Sequence, residues 1–341
     1  MQIQKLTATD AFIVFDLDDA PAAGITRAAP KILVDGATAL ARTLTYRFAT
    51  FERRVGGASA GINAKPEDRP AAVAAYVDEV GPLVSAGRFL TEAGRGVSGD
   101  DLAPLRPLDP RPADYWQLED ALTGVSVAVA AAVAAGGLEG RTVALEGFDA
   151  SGPAIAAGLG EQGARIVAVS SAEGTATGAG FEPDALAALW STHGPKLVAE
   201  LASDPAPLAA PGAALGAEVD VLVVGSRPGV VTDEVAASVA ARVVVPSGPT
   251  PVTAKALARL RRAGTVVVPD FVSTAGPLFA GWPEEGGAGT IDPARAAAEG
   301  VRAALAEVLD HADGPLLGAC YRAEAFLATW RDQLPFGRPI A

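Results

Sequence analysis

The run Gly147-Phe148-Asp149-Ala150-Ser151-Gly152 follows the apolar stretch Thr142 to Leu145 and precedes a helix opening at Pro153. A strand, a tight glycine turn and a helix N-terminus in that order present backbone N–H groups to a dinucleotide diphosphate. Asp149 alters that prospect, because it stands where the G-x-G-x-x-G pattern has its middle glycine. Its Cβ takes space the diphosphate would use, and its carboxylate opposes the positive field of the helix terminus. About 20 positions on, where an acidic residue would accept the ribose hydroxyls, the chain has Ser170 and Ser171. The expected cofactor contacts are Gly147, Asp149, Ser151, Gly152, Ser170 and Ser171, with Ser226 and Thr274 after later strands. NAD or NADP is expected to bind weakly or not at all. The competing reading is a turn that keeps Gly147 and Gly152 for packing only. One cysteine, Cys320, and two histidines, His193 and His311, cannot assemble a zinc site, so no metal is expected.

The elements around this loop follow from the apolar pattern. Thr142–Leu145, Ile166–Val169, Val219–Val224, Val243–Val245 and Val266–Val268 are short runs alternating with helical stretches, as in a parallel sheet with crossovers. Upstream, Phe12–Phe15 reads as a strand. A helix then begins near Asp35, its cap, and buries Ala37, Leu40, Ala41, Leu44, Phe48 and Phe51. The glycines from Gly56 to Gly61 read as the break ending that helix. A second helix is capped near Asp68, with Pro70 in its first turn and Tyr76, Val77 and Val80 inward, and Pro82 should kink or restart it. Proline density between Leu105 and Trp116 marks a crossing, and Ala176 to Gly216 shows no strong strand. The fold class expected is α/β, with a small N-terminal α/β domain over 1–115 and a Rossmann-like doubly wound parallel-sheet domain over 116–341. The C-terminal helices are free to pack back on the first.

Composition limits the partners. Forty acidic against 27 basic residues give a formal charge of −13, which repels a phosphate backbone and argues against nucleic acid. Val125 to Ala135 falls short of the roughly 20 apolar residues a bilayer needs, so no membrane is expected. With no signal-like N-terminus, the default location is cytoplasmic.

Several stretches, in order, resemble the glutamate/leucine/phenylalanine/valine dehydrogenases. They are Ala41 to Tyr46 running to Gly56-Gly57, Arg88 to Thr91, Gly140 to Gly147 with Gly163 to Ser170, and Val266 to Asp270 with Ala275-Gly276. The resemblance implies reversible oxidative deamination with a nicotinamide cofactor. A lysine in a Gly-Gly-x-Lys stretch grips the substrate carboxylate, a second lysine activates water or the carbonyl, and an aspartate shuttles amine protons. Carried onto this sequence, those positions fall on Ser59, Pro70 and Gly94, and the later asparagine of Asn-Ala-Gly on Thr274. The Gly-Ala-Asn loop is shortened at Ser247-Gly248. Arg69, Glu92 and Arg95 are candidate catalytic replacements, and Arg27, Ser59 and Lys65 candidate substrate contacts. Two expectations follow. One is an NAD(P)-linked oxidoreductase unable to perform standard deamination; the other is a non-catalytic protein binding a metabolite or partner. In both, the resemblance implies a homo-oligomer with a small molecule in an interdomain cleft.

Overall fold

The computed structural model describes residues 1–202, 206–282 and 292–340. The chain divides into one unit of Met1–Ala113 with Cys320–Pro339 and another of Asp114–Ala319. The first unit is built on strands β1 (Gln2–Lys5), β2 (Ala11–Phe15), β3 (Ala22–Ala29), β4 (Gly56–Asn63) and β5 (Phe89–Ala93), in the sheet order β1-β2-β4-β3-β5. β3 runs parallel to both β4 and β5, while β2 is antiparallel to β1 and β4. Helices α1 (Val34–Thr50) and α2 (Arg69–Ser85) cover opposite faces. A Cβ at Gly57 would lie 1.9 Å from the Ala41 carbonyl oxygen of α1, whereas the Tyr76 hydroxyl of α2 bonds Thr26 Oγ1 at 2.7 Å from the other side.

Three expectations are corrected here. Gly56 to Gly61 is not a break but the buried strand β4, because its missing side chains let α1 lie on the backbone. Leu33, not Asp35, occupies the α1 N-cap, and Asp35 sits inside the first turn. Of the two outcomes expected at Pro82, a restart does not occur, because α2 runs unbroken from Arg69 to Ser85.

The second unit opens with α3 (Tyr115–Ala135), followed by β6 (Thr142–Glu146), α4 (Gly152–Glu161), β7 (Arg165–Ser171), β8 (Gly174–Phe181), α5 (Pro183–His193) and α6 (Leu197–Leu201). After these come β9 (Val221–Val224), α7 (Asp233–Ala236), β10 (Val243–Pro246), α8 (Ala254–Arg262), β11 (Val266–Val267), α9 (Asp270–Ser273), α10 (Leu278–Gly281) and α11 (Pro293–Val308). The last helix, α12 (Pro315–Leu327), enters the first unit at Cys320. The sheet order β11-β10-β9-β6-β7-β8 is parallel except at its edge, where β8 runs antiparallel to β7. This is the doubly wound arrangement of the Rossmann class. β8 is the strand that Ala176 to Gly216 concealed: its later residues are exposed and glycine-rich, so no apolar run announces it. The membrane expectation needs a qualification, because α3 begins at Tyr115 and its 21 residues are long and apolar enough to cross a bilayer. A core helix passes the same test, and Ser126 to Ala131 are buried within this unit. Gly124 lets α4 approach closely: a Cβ there would fall 2.4 Å from the Ala154 carbonyl oxygen.

An ion pair closes the first unit's core. Arg42 Nε donates to both carboxylate oxygens of Asp16, at 2.9 and 2.8 Å, and Thr45 Oγ1 adds a bond of 2.6 Å. Arg42 Nη1 donates to the Phe336 and Gly337 carbonyls, tying the C-terminal segment to α1. The two side chains are only 8% and 0% exposed. Removing one member of such a pair leaves a buried charge uncompensated, at about 3–5 kcal/mol. Arg42→Met should therefore lower the free energy of unfolding, read from urea titration, by about 3–5 kcal/mol, and an unchanged value would refute the role given to the pair.

Candidate functional site

In the second unit, β6 delivers two residues to the end of the sheet. Glu146 is buried and accepts the backbone N–H groups of Gly225 and Ser226, each at 3.2 Å. Gly147 follows at φ +89°, and a Cβ there would lie 2.4 Å from Ser226 N. Only glycine satisfies both the positive φ and the approach. Gly147 N and Phe148 N both donate to the Ser170 carbonyl, at 3.0 and 2.7 Å. A Cβ on Gly152 would meet the Phe148 ring at 2.7 Å, and that ring packs edge-on against Trp190 at 5.8 Å between centroids.

Three carboxylates gather here. Asp149 Oδ1 accepts from Ser151 N at 3.1 Å, and Ser151 Oγ donates to Asp120 Oδ1 at 2.6 Å. Burial in the surrounding protein pushes the Asp149 carboxyl up to about 6, with repulsion from Asp120 and Glu146 adding to it and the Ser151 N–H opposing. The residue is exposed by area, so water on that side offsets part of the crowding. A diphosphate placed over this turn would meet negative potential where it needs positive.

The serines expected to face the ribose are engaged in the fold. Ser170 Oγ accepts from Gly212 N at 2.8 Å and Thr175 Oγ1 at 2.9 Å, binding β7 to β8 and the segment beyond it. Ser171 Oγ donates to the Pro195 carbonyl at 2.6 Å and accepts from Glu173 N at 3.1 Å. Thr274 is buried with its hydroxyl on the Asp270 carbonyl at 2.6 Å. Ser226 is exposed, directly against Gly147. Sequence reasoning missed Glu146 and Asp120. Glu146 adjoins the glycine turn and was legible as a charge ending an apolar strand; Asp120 comes from α3, and nothing in its spacing ties it to Ser151.

In the first unit, Ser59 is not on a loop but fully buried in the middle of β4. The register Ile25↔Ser59 and Arg27↔Gly61 puts Arg27 on the same face as Ser59, and Ile25↔Glu92 adds Glu92, with Gly94 two residues on. Arg27 Nη2 reaches Ser59 Oγ at 3.4 Å. A Cβ at Gly94 would lie 2.3 Å from Ile25 Cγ2 and 3.0 Å from both Arg27 Cγ and the Thr26 carbonyl oxygen. Position 94 therefore has no room for an aspartate without displacing neighbours. Glu92 accepts from Arg111 Nη1 at 3.3 Å, and Arg111 also grips Asp109 at 2.7 Å. Burial holds the Arg27 guanidinium below the usual arginine range. Arg95 is exposed at the tip of the Gly94–Gly96 turn, Lys65 and Pro70 are exposed, and Arg69 is half-buried at the start of α2. The structure thus brings together Arg27, Ser59, Glu92 and Gly94, whereas Arg69 and Pro70 belong to the helix on the opposite face. Among the described residues no group of three or more histidine, cysteine, aspartate or glutamate side chains is placed to hold a metal ion.

A model of the Glutamate/Leucine/Phenylalanine/Valine dehydrogenase family matches residues 117–281. An NADP(+)-dependent glutamate dehydrogenase of Pyrobaculum calidifontis is 34% identical over 177 residues, which cover 50% of this chain and 42% of the relative. A NAD-specific glutamate dehydrogenase A of Halobacterium salinarum is 25% identical over 290 residues, or 75% of this chain and 63% of the relative. The fold extends the match to both units. The hetero-hexameric glutamate dehydrogenase of Thermus thermophilus, in a leucine-bound form, superposes with a TM-score of 0.77 at 22% identity, covering 95% of this chain and 88% of that one. Residues 117–281 match the glutamate/leucine/phenylalanine/valine dehydrogenase family. An L-tryptophan dehydrogenase from Nostoc punctiforme shares the fold over 96% of both chains, with a TM-score of 0.64 at 20% identity. The sequence matches to the Pyrobaculum enzyme and to a glutamate dehydrogenase of Aeropyrum pernix span less than half of those relatives, 42% and 38%. The family model lies within the second unit and ends at residue 281, so for the first unit it is the shared fold that carries the likeness.

The raised Asp149 carboxyl has a consequence for stability within this family fold. Its folded value near 6 lies above the ordinary 3.8, so the native state holds a proton the unfolded chain has released, and stability falls as pH rises through that window. Asp149→Asn should stabilise the protein above about pH 6 and leave it unchanged below about pH 4, read from melting temperature against pH. Equal effects at both ends would show that Asp149 is an ordinary surface carboxylate.

Proposed function

We propose that this chain is a non-deaminating member of the family, which keeps the two-unit dehydrogenase fold to bind a small organic acid and takes NAD or NADP weakly if at all. The observation that carries the reading is the loss of titratable groups at the three family positions of the first unit. Ser59, Pro70 and Gly94 offer no titratable group, and the packing at Gly94 leaves no space for an acid. Deamination needs a base of lowered proton affinity and an acid–base partner for ammonia. Glu92 is held by Arg111, and an arginine stays protonated, so neither supplies the missing base. A second reading, an NAD(P)-linked oxidoreductase on a different substrate, draws support from the intact order of strand, Gly147 turn and α4. The acidic cluster around Asp149 argues against it. A cytoplasmic homo-oligomer is part of this proposal, in keeping with a family fold that also occurs in a hetero-hexamer.

Two measurements test the reading. Oxidation of glutamate, leucine, valine and phenylalanine, followed by cofactor absorbance at alkaline pH with the reverse reaction run from oxo acids and ammonium, should proceed at least about 10²-fold below ordinary enzymes. Turnover within about 1 to 10³ per second would overturn it. Fluorescence titration should show Asp149→Gly binding NADH or NADPH more tightly than the native chain, since the change removes a charge and a Cβ from the diphosphate's place. Equal or weaker binding would mean that the phosphates do not sit on this turn.

A further inference from the structure

Arginines in the first unit's interior mostly have partners. Arg42 grips Asp16, and Arg111 grips Asp109 and Glu92. Arg27 differs. Among the described residues it forms no ion pair; its single hydrogen bond is the 3.4 Å contact from Nη2 to Ser59 Oγ, and its Nε is shut off from water without an acceptor. A desolvated cation lacking a counter-ion is costly, and an anion that completes it recovers much of that cost.

The path of the side chain adds a second observation. Its aliphatic stem passes over Gly94, where any Cβ would press on Cγ at 3.0 Å, and its head ends against Ser59. One arginine from β3 therefore spans the two positions at which the family resemblance places a carboxylate-gripping lysine and an aspartate. Small residues at 59 and 94 are what its passage requires. Charge is redistributed as well. A lysine with an aspartate offers a cation for a carboxylate and an anion for an α-ammonium; Arg27 offers the cation alone. The nearest acid on that face, Glu92, is held by Arg111.

We propose that Arg27 and Ser59 form a binding site for a carboxylate that lacks an adjacent ammonium, an oxo or hydroxy acid, in preference to an amino acid. It rests on the reading of the face as a non-deaminating organic-acid site. The planar guanidinium accepts a carboxylate through its terminal nitrogens, the buried serine hydroxyl is within reach of the same oxygens, and an α-ammonium would stand beside a fixed positive charge with no acid to receive it.

Glycolate and glycine test this directly, since they differ only in a hydroxyl against an ammonium. The full chain, labelled with 15N-arginine, is titrated with each at neutral pH, and the slowly exchanging Arg27 Nε–H resonance, assigned through Arg27→Lys, is followed. A saturable shift with glycolate, at least about tenfold weaker with glycine, is expected; a tenfold ratio corresponds to 1.4 kcal/mol. Ser59→Ala, which keeps Arg27 in place, should weaken glycolate several-fold with the melting temperature retained. Gly94→Ala should weaken it too by displacing the stem. Equal binding of the two acids, a shift that chloride reproduces at the same ionic strength, or no response at Arg27 would overturn the proposal. Failure of the functional reading is separate: deamination with a saturable Arg27 would remove that reading and leave the anion site, while an inactive protein with a silent Arg27 would do the reverse.

Discussion

Backbone lies directly on backbone at the centre of the first sheet, and much else depends on that approach. Gly57 allows the Ala41 carbonyl of α1 within 1.9 Å of where a side chain would begin. With α1 seated this low, Thr45 reaches both the Asp16 carboxylate and the Gly57 N–H, and Arg42 closes on Asp16 from the next turn. The same closeness governs the neighbouring β3 and β5. Gly94 donates its N–H to the Thr26 carbonyl, leaving Arg27 as the large side chain over that end of the face. A fold with bulkier residues at these points would need wider spacing, and the face would hold different chemistry.

Charge placement separates the two units. In the first unit Arg42 and Arg111 are matched to carboxylates at hydrogen-bond distance, whereas Arg27 has only the Ser59 hydroxyl. At the end of the second sheet the imbalance has the opposite sign: Asp120, Asp149 and Glu146 lie around a turn whose geometry otherwise suits an anion. Glu146 is part of the architecture, since its buried carboxylate accepts the Gly225 and Ser226 N–H groups just past the end of β9. Asp149 has no comparable structural duty beyond its bond from Ser151 N, which is why its charge bears on ligand rather than on fold.

Legibility followed burial pattern. The five parallel strands of the second unit and helices α1 and α2 were readable because each carries a continuous apolar run or face. β3 and β4 were not, since alanine and glycine there supply no apolar contrast and owe their burial to the helices laid on them. β8 escaped for a related reason, being an exposed edge with small residues. The serines at 170 and 171 look alike in sequence to free hydroxyls; only the nearness of Gly212, Thr175 and Pro195 shows them engaged.

By itself the sequence determined the α/β class, the place of the glycine turn after β6 and the loss of titratable groups at positions 59, 70 and 94, because these depend on residue type and local order. Tertiary structure alone decided that Ser59 is a buried strand residue, that position 94 is closed, and that Arg27, distant from both in the chain, occupies the volume between them. The physical reason is strand register. Side chains on one face of a sheet become neighbours through pairings set by helices packed elsewhere on the strands, and no spacing along the chain encodes that contact.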